Sequence, residues 1–502
     1  MSVTVATILF IVPFLLLLLN HKRCSTKKTK LPPSPSKLPI IGNLHQLGSP
    51  LHRTLCALSQ KYGPIMHLQL GCVTAIVISS PDLAEEIFKT HDLNFSSRPS
   101  LAMLDKLVYD SQDIAFTPYG DYWRQARKIC VLHLLSSKRV QSFGAIREEE
   151  VELMIEKVSR KSSLGPVNLT KLLNSLTLNT ISRVALGTKH SLEEGVNNKL
   201  CKLIAEFSTL FETSRLDDYF PYLAWLYTIN GMNKRLNKWF QDWDGLLDQV
   251  INDHVVHSVG SQSNTNADLV DVLLSLQKDQ DSSLSLTMKN IKAIITDMFS
   301  AGTDTSFALL DWTMAELMRN QKAMKKVQDE IRCIMKDKTK IEESDIAKMA
   351  YLNAVIKEAF RLHPPAPMLL PRESMKEATI RGYRVPAKTM VMVNAWAIGR
   401  DPKLWEDPEE FRPERFLNSS IDFKGNDLQL IPFGSGRRIC PGIQFAVAEL
   451  ELALASLLYR FDWRLPDKMK AEELDMTEAP GLTVRRMPNL LVIATAHQSP
   501  MC

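Results

Sequence analysis

The sequence predicts a mainly α fold with a minor β region, and three observations carry that expectation. Beyond about residue 50 apolar residues recur at helical spacing, while alternating stretches are few and short. At 45% hydrophobic and 23% charged, the chain has material for a sizeable core and no bias toward disorder. Its 502 residues suit either two modest domains or one large enzyme domain, with no internal repeat to divide them.

Residues 1–20 carry no charged side chain, and an apolar run over 8–19 is followed abruptly by Lys22, Arg23, Lys27, Lys28 and Lys30. This pattern predicts a transmembrane signal anchor. A cleaved signal peptide would want a charged beginning and a small-residue cleavage site, and neither is present. Basic residues stay on the cytoplasmic side, which puts the chain downstream in the cytosol and leaves the sequons at Asn94, Asn168 and Asn418 unglycosylated. Residues 21–38 read as a basic and proline-rich linker, stiffened by Pro32, Pro33 and Pro35, and 39–502 as the body.

Helices are expected over 81–90, 121–134, 148–160, 268–277 and 286–319. Strands are expected at 65–70 with 75–78, at 389–394 and at 489–494. The polar stretch 258–266 reads as a surface loop. Setting aside the five basic residues after the anchor leaves 56 basic against 56 acidic residues, so no global charge favours nucleic acid. The eight cysteines, Cys24, Cys56, Cys72, Cys130, Cys201, Cys333, Cys440 and Cys502, form no CxxC pair. That scatter argues against a zinc ribbon or disulfide framework and suits a reducing compartment.

One cysteine has unusual surroundings. Pro432-Phe433-Gly434-Ser435-Gly436-Arg437-Arg438-Ile439-Cys440-Pro441-Gly442 precedes a helical pattern over 443–459. Glycines permit a tight turn and close approach of a flat ligand, and amides at a helix start temper a thiolate. The predicted 286–319 helix carries Ala301-Gly302-Thr303-Asp304-Thr305-Ser306 in its middle. Glycine costs about 1 kcal/mol there relative to alanine. Thr305 can bond back to the carbonyl of Ala301, so an acid and a hydroxyl are offered at one point of a long helix.

These segments resemble the cytochrome P-450 superfamily. Phe433, Gly436, Arg438, Cys440 and Gly442 match its haem-binding signature FxxGxRxCxG, and residues 301–306 match its oxygen-activation motif. Glu358 with Arg361 matches ExxR, and Pro413-Glu414-Arg415-Phe416 matches PERF. Trp123 with Arg127 matches WxxxR, and the wording after the anchor resembles the plant A-type branch. The resemblance implies the cytochrome P-450 fold, haem b with Cys440 as axial thiolate, and Asp304 and Thr305 in proton delivery. It further implies Trp123, Arg127, Arg372 and Arg438 around the haem carboxylates. Glu358, Arg361 and Arg415 would be structural support behind the cysteine loop.

The implied reaction is insertion of one oxygen atom of O2 into a small lipophilic plant specialised metabolite, phenylpropanoid, coumarin or terpenoid. Electrons would come from NADPH through a reductase at the endoplasmic reticulum membrane, with the catalytic domain on its cytosolic face. Arg124, Lys128 and Arg437 are expected to contribute to a basic docking surface. Substrate contacts are expected from Phe116, Phe299, Ala301, Ala366, Leu370 and Leu482. Two rival readings are a haem-thiolate isomerase or dehydratase, against which Asp304 and Thr305 argue, and a non-catalytic haem sensor.

Overall fold

A 32-residue helix, Met288–Arg319, runs through the centre of the molecule and organises the rest. It starts where Thr287 accepts from the Asn290 amide at 3.2 Å, while Asn290 Oδ1 accepts from the Thr287 amide at 3.0 Å. The computed structural model describes residues 30–192, 194–212, 216–258, 267–279, 286–336, 338–466 and 469–497. The expected anchor, most of the basic cluster and nearly all of the 258–266 loop lie outside the described residues. Among those described, no helix is long and apolar enough to cross a membrane.

Five helices position the site: α1 (Asp121–Ile129), α2 (Leu169–Leu192), α3 (Met288–Arg319), α4 (Ala350–Leu362) and α5 (Ile443–Arg460). Helix α3 is buried over 290–299 and 306–318 but less so at Ser300, Ala301, Gly302, Asp304 and Thr305, which face an internal cavity. Gly302 lies against α2: a Cβ there would sit 3.4 Å from the Ile181 side chain. The C-terminal half of α3 packs with α4 and α5 in one hydrophobic cluster, whose members include Leu310, Met314, Val355 and Leu454. The N-terminal half joins a second cluster containing Trp243, Leu273 and Ile294.

Strands form a minor part. A four-stranded sheet orders Ile65–Leu70, Val73–Ile78, Met390–Val393 and Arg372–Glu373, the central pairing being parallel. A three-stranded sheet joins Val167–Asn168, Leu491–Ala496 and Phe461–Arg464. The expected hairpin and later strands are therefore found, whereas strands of two or three residues were too short to show a period of two.

The proline segment is seated on the body. Pro33 accepts from the His67 amide at 2.8 Å and Lys30 from that of Arg384 at 3.0 Å, so packing begins before residue 39. Two of the sequons are occupied by structure. Asn94 donates to the Lys376 carbonyl at 3.0 Å, and Asn168 accepts from the Lys171 amide at 3.1 Å.

Candidate active site

The cysteine loop turns back on itself through Gly434 and Gly436, at φ 71° and 69°. At Gly436 a Cβ would lie 2.5 Å from the Phe88 carbonyl oxygen, so the loop passes there only with glycine. The Cys440 amide donates to the Phe433 carbonyl at 3.0 Å, and the residue lines the cavity at the start of α5, where Gly442 is the N-cap. Burial pushes the Cys440 thiol up, while the Gly442 amide and Arg127 favour the thiolate. Phe433 packs edge-on against Phe360 of α4, with centroids 4.9 Å apart.

Behind that contact lies a buried ion network. Arg361 forks onto Glu358 at 2.7 and 2.8 Å, and Arg415 reaches the same carboxylate at 3.0 Å. The remaining Arg361 donors go to the carbonyls of Gly399, Pro408 and Glu410 at 2.7–2.9 Å. The network ties α4 to the segment before the cysteine loop, and Phe360 carries that order forward to Phe433.

Four arginines gather on another wall of the cavity: Arg98, Arg127, Arg372 and Arg438. Burial lowers all four below the ordinary guanidinium value, with mutual repulsion adding to it at Arg98 and Arg438 and Asp92 working against it at Arg372, which stands near 10 beside Arg438 near 9. Arg127 is lowered by burial alone and is supported by Cys440. Arg438 donates to the carbonyls of Ser96, Ile114 and Thr117, while Arg372 donates to Ser435 and lies 3.6 Å from Asp92. So much buried positive charge exceeds the nearby carboxylates, which fits a ligand bearing two carboxylates on a flat apolar body. Haem has that chemistry, and Cys440 supplies a sulfur ligand in the same cavity.

Arg98 was not singled out from sequence. It holds the carbonyls of Ala115, Leu370 and Pro371 at 2.7–2.9 Å, drawing together segments far apart in the chain. Two expected cofactor contacts stand beside the cavity, outside its lining. The Trp123 indole N–H donates to the Ile114 carbonyl at 3.0 Å, and its ring lies 4.0 Å beneath the Arg438 guanidinium, a platform rather than a cavity wall. Gly436 is also absent from the wall, because its role is the close passage beside Phe88.

The cavity, about 290 Å³, runs from Cys440 along α3 to an aromatic roof. Phe116 meets Phe211 edge-on at 5.7 Å, and Phe211 stacks on Phe207 at 5.4 Å. Phe116, Ala301, Ala366, Leu370 and Leu482 all line it. Phe299 does not: it is fully buried against Trp243, with centroids 5.8 Å apart. Two residues along a helix turn a side chain by about 200°, so Phe299 points away from the face that bears Asp297 and Ala301.

Asp304 and Thr305 both line the cavity. The Thr305 hydroxyl donates to the Ala301 carbonyl at 2.6 Å, leaving its oxygen to accept another hydrogen bond. Burial pushes the Asp304 carboxyl up, so it is equipped to hold a proton, while Ser208 and Arg485 act in the opposite direction. Ser208 donates to Asp304 at 2.5 Å and was not anticipated. Of the expected docking residues, Arg124 pairs with Asp121, Arg437 lies 3.0 Å from Asp92, and Lys128 is exposed.

A second acid group closes the cavity beside Phe116. Asp297 on α3 accepts from the Ile114 amide at 2.6 Å, and Asp113 accepts from the Phe116 amide at 2.8 Å. Burial pushes both carboxyls up, and repulsion from Asp113 adds to the shift at Asp297, so the pair retains a proton above the ordinary carboxylate range. Because the folded values are raised, their stabilising contribution is present at low pH and is lost as pH rises from the ordinary carboxylate range through the folded values. Asp297→Asn mimics the protonated form. Its melting temperature should therefore fall less than the parent's when pH is raised from 5 to 8, and equal falls would refute the shared proton.

A family model described as cytochrome P450 matches residues 32–492. Cytochrome P450 71AP13 of Prunus mume is 50% identical over 491 residues, covering 97% of this chain and 95% of its own. A strychnine-11-hydroxylase of Strychnos nux-vomica is 48% identical over 488 residues, covering 97% and 95%. Among solved structures, a zebrafish cytochrome P450 with progesterone aligns at TM-score 0.77 and 25% identity, covering 89% of this chain and all of that one. With residues of three motifs lining one cavity and the match spanning nearly the whole chain, the protein belongs to the cytochrome P450 family of haem-thiolate monooxygenases.

Proposed function

We propose that the protein hydroxylates a small lipophilic plant metabolite of the phenylpropanoid, coumarin or terpenoid type, using O2 and electrons passed from NADPH by a membrane-bound reductase. The observation that carries this reading is the apolar cavity that brings Cys440, Asp304 and Thr305 together under Phe116, Phe207 and Phe211. Bound haem supplies the iron at which O2 is activated, with the thiolate donating electron density. The chain supplies the rest. Its arginines hold the carboxylates, the aromatic roof excludes water and orients a flat substrate, and Asp304 holds a proton for Thr305 to relay. The reaction consumes substrate, O2, NADPH and a proton, and yields the hydroxylated product, water and NADP+. A relative named for strychnine hydroxylation supports a rigid polycyclic substrate as one that such a cavity accepts.

Thr305→Ala removes the relay hydroxyl but leaves the arginine wall intact. Product per NADPH consumed should fall by about a hundredfold, the lower part of the range for acid–base assistance, with hydrogen peroxide released instead. Unchanged coupling would favour an isomerase-like use of the fold. A lack of any NADPH-dependent product across lipophilic metabolites would favour a haem sensor.

The membrane reading draws on one surface. Leu38, Ile40 and Ile41 are exposed where the chain enters the body, as are Leu216, Tyr222, Trp225 and Ile229. The two groups are linked through residues 71 and 72: Gly71 donates to the Ile41 carbonyl and Cys72 to that of Tyr219, at 3.4 and 2.8 Å. Such a patch suits the headgroup boundary of a bilayer. In full-length protein reconstituted in vesicles, brominated lipids should quench tryptophan fluorescence, and Trp225→Phe should lose much of that quenching. Equal quenching would exclude contact at this residue.

A further inference from the structure

Two loops far apart in the chain give side chains to the cavity: Ala366, Leu369 and Leu370 from one, Leu482 and Thr483 from the other. The first leaves the end of α4, where His363 caps the helix and Pro364 and Pro365 cannot continue it. The second is the tip of a turn closed by an antiparallel bridge between Glu478 and Arg486. The loops are joined by a bond from the Val484 amide to the Pro365 carbonyl at 2.8 Å.

Both loops are fastened to α3 behind the cavity wall. The Trp312 indole N–H donates to the Val484 carbonyl at 3.1 Å, and the Trp312 ring stacks on the His363 imidazole with centroids 4.1 Å apart and planes 7° apart. Glu316, one turn further along α3, accepts from Nε2 of the same imidazole at 2.7 Å. Burial pulls His363 below the ordinary histidine value, so the ring is neutral at pH 7. Burial also works to raise the Glu316 carboxyl, but the bond from His363 holds it below its ordinary value, as an acceptor requires. Trp312 therefore grips the start of one loop by its ring face and the end of the other by its N–H. Neither Trp312, His363 nor Glu316 lines the cavity.

Packed interiors transmit displacement, so a change behind a loop moves the wall in front of it. We infer that Trp312 and His363 are positioning residues for ligand selection: through the ring stack and the Val484 bond they set where Ala366, Leu370, Leu482 and Thr483 stand in the cavity, and so which lipophilic molecules fit. The fold does not hang on this clasp alone. Arg486 lies 3.6 Å from Asp311, the residue before Trp312, and donates to the Asp475 carbonyl at 2.7 Å. Loss of the indole bond should thus loosen the second loop without releasing it. The inference requires haem and an organic ligand in one cavity, but neither the metabolite class nor the hydroxylation proposed above, so its failure would leave that reading standing.

The test needs no turnover. Full-length, haem-loaded protein is titrated with imidazole and with 4-phenylimidazole, each followed by the Soret shift when a ring nitrogen binds the iron. Imidazole needs little beyond the iron, whereas the phenyl ring must also fit among the loops. Trp312→Phe keeps a ring face for His363 and loses the N–H, so the ligand itself must order the loosened loop. Affinity for 4-phenylimidazole should fall by about tenfold, the scale of one buried hydrogen bond, with imidazole affinity and the reduced carbon monoxide band kept. An unchanged ratio of the two affinities, whether neither moves or both fall together, would overturn the inference. Should Trp312→Phe not load haem, His363→Gln serves instead: it keeps a donor for Glu316 but loses the stack, and the same selective loss is expected. An unchanged ratio in that variant would equally overturn the assignment.

Discussion

Cys440→Ala should fold, bind haem weakly if at all, and show no strongly red-shifted Soret band when reduced under carbon monoxide. Product formation should fall to background. The fold should survive because the structural bond at this position is the backbone one from the Cys440 amide to the Phe433 carbonyl, and alanine retains it. The neighbouring turn also depends on Gly434 and Gly436 rather than on the sulfur. What is lost is the only atom of the loop able to act as a thiolate, set between the Gly442 amide and Arg127, two groups that favour its charged form. A variant that kept the red-shifted band would remove Cys440 as the ligand and the proposed mechanism with it.

Glu358→Ala should be the most damaging change away from the cavity, destabilising the protein by about 3–5 kcal/mol. One carboxylate answers Arg361 and Arg415 and also accepts from the Arg412 amide at 2.8 Å. Removing it leaves two buried or nearly buried guanidinium groups without their counter-charge. Whole-domain stability is only about 5–15 kcal/mol, so the variant should yield little soluble, haem-loaded protein. Glu358→Gln with its amide oxygen at the Oε1 position retains three of the four acceptor contacts and should lose less. If the melting temperature and haem content of Glu358→Ala matched the parent, the network would not be what holds Phe360 against Phe433.

Much of this protein was legible in its sequence, for a specific reason. The cysteine loop, the 301–306 segment and the ExxR pair each place their chemistry within a few consecutive residues, so local spacing already states which groups will stand together. The Thr305 bond to Ala301 is an i to i−4 contact and follows from the helix alone. Some of the longer helices, the central one among them, announced themselves by apolar period, as did the 65–70 and 75–78 hairpin, whereas Leu169–Leu192 and Met232–Ser258 were not singled out.

Tertiary structure decided whatever depends on facing elements distant in the chain. Phe299 reads as a cavity residue beside Ala301, but its position around α3 turns it into the core against Trp243. That Trp123 lies beneath Arg438, 315 positions away, is likewise a matter of packing. Ser208 meets Asp304 across 96 positions of sequence, and Arg98 holds carbonyls as far away as Pro371. Trp312 bonds to Val484 across 172 positions. Sequence by itself determined the chemistry each segment carries, because that is set by neighbours along the chain. Which groups meet, and which charges remain buried, was decided only by packing, because burial and long-range contact exist only once the helices are assembled.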